Sequence, residues 1–129
     1  MTYDDLLDIA YNSGLQVKEE SIRYDGCIKG KDITINKAMP TRYKKCALAE
    51  EMAHAGRNVG DIVDQSKIEN QRQEYKARAL AYEKIVPVEN IRFAITDGYR
   101  TYHEVAEYID VSVEFLVEAI SYYQSKGLI

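Results

Sequence analysis

The chain has 129 residues and a formal net charge of −4. That length suits one domain with a core of its own, and the negative balance argues against binding nucleic acid or an anionic membrane through bulk electrostatics. The composition is globular, with 46% hydrophobic and 29% charged residues, and no stretch approaches the length of a membrane span. Asp4, Asp5 and Asp8 interrupt any leader-like apolar run. The expected compartment is therefore the cytoplasm, with the thiols of Cys27 and Cys46 reduced. Two small apolar residues is the plainer reading of these cysteines, and a metal or redox pair the sharper one.

In chain order, Thr2 to Asn12 reads as a helix. Thr2 is its N-cap, Asp4 and Asp5 suit its positive end, and Leu6, Leu7, Ile9 and Ala10 form its apolar stripe. Leu15–Lys18 and Ile33–Asn36 alternate apolar and polar, and a short strand around Cys27 and Ile28 lies between turn signals. The expectation is a small antiparallel sheet of about three strands. Asp32–Ala38 is assigned as an edge strand able to bind an extended peptide by strand addition; the plainer reading makes the sheet a lid on the helical core.

Pro40 marks the entry to a second helix, capped by Thr41 and running to about Gly56. Arg42, Lys44 and Lys45 read as a solvated basic cluster, or as one that steers an acidic substrate segment. Further along stands Leu48-Ala49-Glu50-Glu51-Met52-Ala53-His54, free of Gly and Pro. On a helix Glu50 and His54 lie one turn apart on one face, and Glu51 borders it. This is the geometry of the zincin motif H-E-x-x-H, two ligands one turn apart with a carboxylate as general base beside them. Here Glu50 stands where the motif has its first His, so the string is E-E-x-x-H. The plainer reading is a solvated charge pair with a His partner.

After a turn at Asn58–Asp61, a third helix is expected from the capping box Ser66-x-x-Glu69 to about Ile85, where Pro87 stops it. Glu74, Ala77 and Ala81 fall at i, i+3 and i+7 on one stripe. The two alanines let another helix approach closely, so Glu74 points into the contact. Aimed at Glu50 and His54, it completes a three-ligand set with a position open for water. The alternative for Glu74 is an i,i+4 ion pair with Arg78.

Val88–Thr96 reads as a short helix with Ile91, Ala94 and Ile95 inward. The capping box Thr101-x-x-Glu104 opens another through Ile109, and a last helix follows Asp110-Val111 from Ser112 to about Lys126. This hairpin resembles a helix-turn-helix, but its second helix shows Glu114, Glu118, Ser121, Gln124 and Ser125 on the exposed face. Carboxylates there repel phosphate, so no direct contact with nucleic acid is expected. The hairpin is assigned to packing on the core or to holding a protein partner. His103, in the first turn of its helix, reads as solvated.

The runs Leu48–His54, Val59–Ser66 and Gln73–Lys84 resemble the ImmA/IrrE family of small metallopeptidases. Within it, the resemblance is to the branch carried by prophages and mobile elements of Gram-positive bacteria. The likeness covers most of the chain and is most specific between Cys46 and Pro87. It implies a mostly helical α+β fold. The parts are a minimal gluzincin-like zincin core, a small sheet and the C-terminal hairpin, all in one domain over residues 1–129. Residues 1–40 would supply the first helix and sheet, 41–87 the motif and Glu-ligand helices, and 88–129 the last helices. The resemblance also implies a protein substrate, a phage-type repressor. Position by position, Glu51 matches the general base, His54 the second motif ligand and Glu74 the downstream ligand, while Glu50 occupies the first-ligand position with a different residue type.

The chemistry expected is metal-assisted peptide hydrolysis by a Zn²⁺ held at Glu50, His54 and Glu74, with Glu51 moving the proton. Two carboxylates and one His leave the ion less positive than the usual two-His set, so another divalent metal also suits the site. No spacing selects an oxyanion donor among the tyrosines. Two other classes stay open: a metal-free zincin-like binding module that sequesters a repressor without cutting it, and a transcriptional regulator, which the charge opposes.

Overall fold

A computed structural model describes the backbone of residues 1–57 and 67–129 and the side chains of residues 1–55, 72 and 74–129. The Asn58–Asp61 turn and the Ser66-x-x-Glu69 capping box lie outside the described residues. Among those described, the order is α1 (Tyr3–Asn12), β1 (Gln16–Glu20), β2 (Gly26–Lys29), β3 (Asp32–Asn36), α2 (Thr41–Arg57), α3 (Lys67–Ile85), α4 (Val88–Thr96), α5 (Tyr102–Ile109) and α6 (Val113–Ser125). This is the expected mostly helical α+β arrangement.

Helix α1 starts at Thr2 with a full capping box: Thr2 Oγ1 accepts from the Asp5 amide and the Asp5 carboxylate accepts from the Thr2 amide. Its stripe buries Leu6 and Ala10. Helix α2 begins differently from expectation. The Pro40 carbonyl accepts from Lys44 N at 3.0 Å, so Pro40 is the capping residue and Thr41 the first residue inside.

The sheet is mixed, not antiparallel. Its order is β1-β3-β2; β1 runs parallel to β3 and β2 antiparallel to it. The segment Ser21–Asp25 carries the chain from the end of β1 across the end of β3, so β2 descends on the far side. A two-residue loop then returns it to β3, with Gly30 at φ +61° in the first loop position, as a type II′ hairpin requires. Asp32–Ala38 therefore does not supply an edge. Its strand, β3, is paired on both sides, and the edge beside α2 is β2.

The core is one continuous cluster. Ile33 and Ile35 of β3 and Leu6 of α1 meet Leu48 and Ala49 of α2, and the cluster runs on through Ile85, Val86, Ile91, Ala94, Val105, Phe115 and Leu116. Ile95 does not join it and is 50% exposed; Ile91 and Ala94 alone fill the inward stripe of α4. Cys46 is buried and Cys27 half-buried, both as free thiols. Burial pushes the Cys46 thiol up to about 11, so it packs and does not react.

The C-terminal hairpin is docked on this core. Tyr123 donates to the Val86 carbonyl at 2.7 Å, and Tyr122 donates to Glu83. Asp110 makes the bend between α5 and α6 in the left-handed region, φ 66°. Beneath it lies Lys45, only 1% exposed, whose ammonium donates to the carbonyls of Ile109 and Asp110 at 3.3 and 3.0 Å. The basic run before the motif is thus not a solvated patch. Lys45 caps the end of α5, where carbonyls lack helical partners, and Lys44 pairs with Glu19 at 2.7 Å.

Candidate active site

The site is built on the second half of α2. Leu48 and Ala49 face the core, which fixes the roll of the helix and leaves Glu50, Glu51 and His54 half-buried along the neighbouring face. Helix α3 crosses α2 on its small stripe, with Ala77 at 1% and Ala81 at 0% exposure. One turn earlier on that stripe, Glu74 reaches α2. Its Oε2 lies 3.3 Å from His54 Nε2, and its Oε1 lies 3.4 Å from Arg78 Nε. Glu74 thus meets His54 across the helix contact and Arg78 on its own helix, one on each oxygen.

Glu50 and Glu51 line a cleft of about 540 Å³. One wall is Arg23–Gly26, leading into β2; the other is α6, with Glu114, Phe115 and Glu118. Glu114 and Glu118 are exposed, as expected, and the face they share borders this cleft. Tyr43 donates to Glu114 at 3.2 Å and Tyr82 to Glu118 at 2.9 Å. Gly26 sits where a Cβ would come within 3.2 Å of Ile35 Cδ1 and 3.4 Å of Glu51 Cγ. Glycine lets the β2 backbone lie close to the Glu51 side chain.

Both motif carboxyls are raised, chiefly by burial. Burial pushes the Glu50 carboxyl up to about 7; Arg78 opposes the shift, and the charges of Glu118, Glu74 and Glu51 add to it. Burial also raises Glu51, with His54 opposing and Glu74 adding. A half-buried carboxyl facing three like charges marks a place short of positive charge. One imidazole and two carboxylates are donors that zinc and other divalent ions accept, so the residues fit a divalent cation in both type and charge.

The structure brings His54 and Glu74 together and sets Glu50 and Glu51 in the same electrostatic neighbourhood. Among the described residues, no three His, Cys, Asp or Glu side chains already stand in a metal-gripping arrangement. His103 is exposed on α5. Gly26, Tyr82 and Glu118 also belong to the neighbourhood, but no sequence spacing linked them to the motif. For Arg78 the signal was its i,i+4 spacing from Glu74, which the structure shows as an ion pair.

A small α+β domain that sets Glu-Glu-x-x-His on one helix against a Glu from the next has the outline of a metallopeptidase-type domain. The chain belongs to the family of the IrrE N-terminal-like domain, Peptidase M78, whose family model matches residues 7–121. The match spans the sheet, both motif helices and the C-terminal hairpin as far as α6. Peptidases of this family are generally metal-dependent. Neither a curated protein nor a solved structure matches the chain. Among the described residues, no helix is long and apolar enough to cross a membrane.

Proposed function

We propose that the chain is a metal-dependent endopeptidase that acts on a phage-type transcriptional repressor. The observation that carries this reading is the approach of Glu74 to His54 at 3.3 Å, across the α2–α3 contact and beside Glu50 and Glu51. A polar contact this exposed adds little to stability. Its place beside two motif carboxylates supports a chemical role.

Glu50, His54 and Glu74 would hold the ion, zinc or another divalent metal. When bound, such an ion polarises the scissile carbonyl and lowers the pKa of a bound water. The proton work falls to Glu51, which takes the proton of the attacking water and hands it to the leaving amine. Its raised pKa makes it a stronger base than a solvated carboxylate. Strand β2, paired on one side only among the described residues, offers an edge for an extended peptide, with Gly26 leaving room for a backbone beside Glu51. The repressor enters through the likeness of the motif region to the phage branch of the family.

A second reading is a metal-free module that sequesters the repressor without cutting it. Glu50 favours it, because a carboxyl pushed to about 7 is partly protonated at neutral pH and then a poor ligand. Purified protein assayed for zinc and incubated with a phage-type repressor separates the two. The peptidase carries about one zinc per chain and yields discrete repressor fragments. Tight repressor binding with neither metal nor fragments selects the sequestering module.

A further inference from the structure

Glu74 is engaged at both oxygens: Oε2 is 3.3 Å from His54 Nε2 and Oε1 is 3.4 Å from Arg78 Nε. Arg78 stands one turn after Glu74 on α3, a spacing at which side chains meet. As a brace for the helix this pair is weak, since both side chains are 47% exposed. As a geometric device it is stronger. The terminal torsion of a glutamate is broad, so its carboxylate plane is otherwise free to turn. A planar guanidinium bound at one oxygen restricts that turn and presents the other oxygen outward.

Arg78 also stands in the field of Glu50 on α2 and Glu118 on α6. Glu118 is itself held by the Tyr82 hydroxyl at 2.9 Å. Of the three carboxylates around Arg78, Glu74 is the one whose second oxygen meets His54.

We propose that Arg78 is a positioning residue of the metal site: by holding Oε1 of Glu74 it presents Oε2 to His54 and to the cation the two would share. This rests on the reading of the site as a metal centre. Arg78 acts through Glu74 and touches no reacting atom. Its charge and its geometry pull in opposite directions. A cation beside a metal site repels the metal, so by charge alone its removal tightens binding. By geometry its removal loosens it.

The test measures zinc dissociation constants of the full chain by competition with a chromophoric chelator. It compares the parent with Arg78→Lys and Arg78→Met, each alone and combined with Glu74→Gln. Visible absorption of the cobalt-loaded proteins reports ligand geometry, and unfolding without metal checks that the fold is kept. Both single variants are expected to bind zinc about 10-fold more weakly, a usual effect of losing a partner that orients a ligand. The cobalt bands shift as well, and the Arg78→Lys effect disappears in the Glu74→Gln background. Parental affinity in Arg78→Lys together with tighter binding in Arg78→Met overturns the proposal, leaving Arg78 a charge near the site. A parent that takes up neither zinc nor cobalt overturns the metal reading itself, and the proposal with it.

Discussion

Five residues apart on α2, Lys45 and Glu50 are both drawn out of water, and their surroundings are opposite. Lys45 meets two carbonyls at the end of α5, with the Asp110 carboxylate 4.0 Å away. Its charge completes a helix end that would otherwise lack donors. Glu50 stands in the field of Glu118, Glu74 and Glu51, with Arg78 in opposition. The first half of α2 is settled by the fold, and the second half gathers like charges with Arg78 to oppose them. Unrelieved charge of this kind is characteristic of places that bind or react.

The largest expected effect is chemical and falls in the second half. Glu51→Gln is nearly isosteric and leaves the three donors in place. Zinc content should hold while repressor cleavage falls by about 10²- to 10⁴-fold, the usual worth of a positioned base. Cleavage at the parental rate would remove Glu51 from the mechanism.

The next effect is on the metal-free protein. Glu50 holds its proton more tightly folded, at about 7, than at its ordinary 4.5. The stabilisation from that proton is complete below 4.5 and disappears as the pH rises through 7. At ~1.4 kcal/mol per pH unit the loss is about 3 kcal/mol by pH 8. Glu50→Gln should therefore flatten the decline in urea-unfolding stability between pH 5 and 8. Parallel curves for parent and variant would show that Glu50 is not strained.

In the first half of α2 the sign reverses. Lys45→Met keeps the volume but leaves the α5 carbonyls without their donor, a loss of about 2 kcal/mol. Equal stability of this variant and the parent would make Lys45 a mere passenger. The smallest effect lies away from α2. Thr101 accepts from the Glu104 amide at 3.1 Å to start α5, so Thr101→Ala should cost about 1 kcal/mol with zinc binding unchanged.

What could be read from the sequence was whatever is local. Thr2, Thr101 and Ser112 cap their helices as side-chain chemistry dictates, and α3 ends just before Pro87. The E-E-x-x-H spacing and the Ala77/Ala81 stripe are properties of single helices, and they pointed to Glu50, Glu51, His54 and Glu74. Whatever depends on distant parts of the chain did not show. The sense of β1 against β3 is set by where Ser21–Asp25 crosses, not by alternation along the strands. Lys45 looked solvated because its partners lie more than sixty residues away, at Ile109 and Asp110. Glu118 is the surface residue it looked like, but nothing in α6 announces that Tyr82 and the cleft lie opposite.

The most direct test of a cation-seeking site is the unfolding free energy of the full chain at pH 7.5, measured with chelator and with excess zinc. Parent and His54→Ala are run side by side. A ligand that binds only the folded state stabilises it by about 3 to 4 kcal/mol at 100 to 1,000 times its dissociation constant. The parent should gain an increment of that order and His54→Ala should gain almost none. Equal stability of the parent with and without zinc, or an equal gain in both proteins, would contradict a metal centre at Glu50, His54 and Glu74.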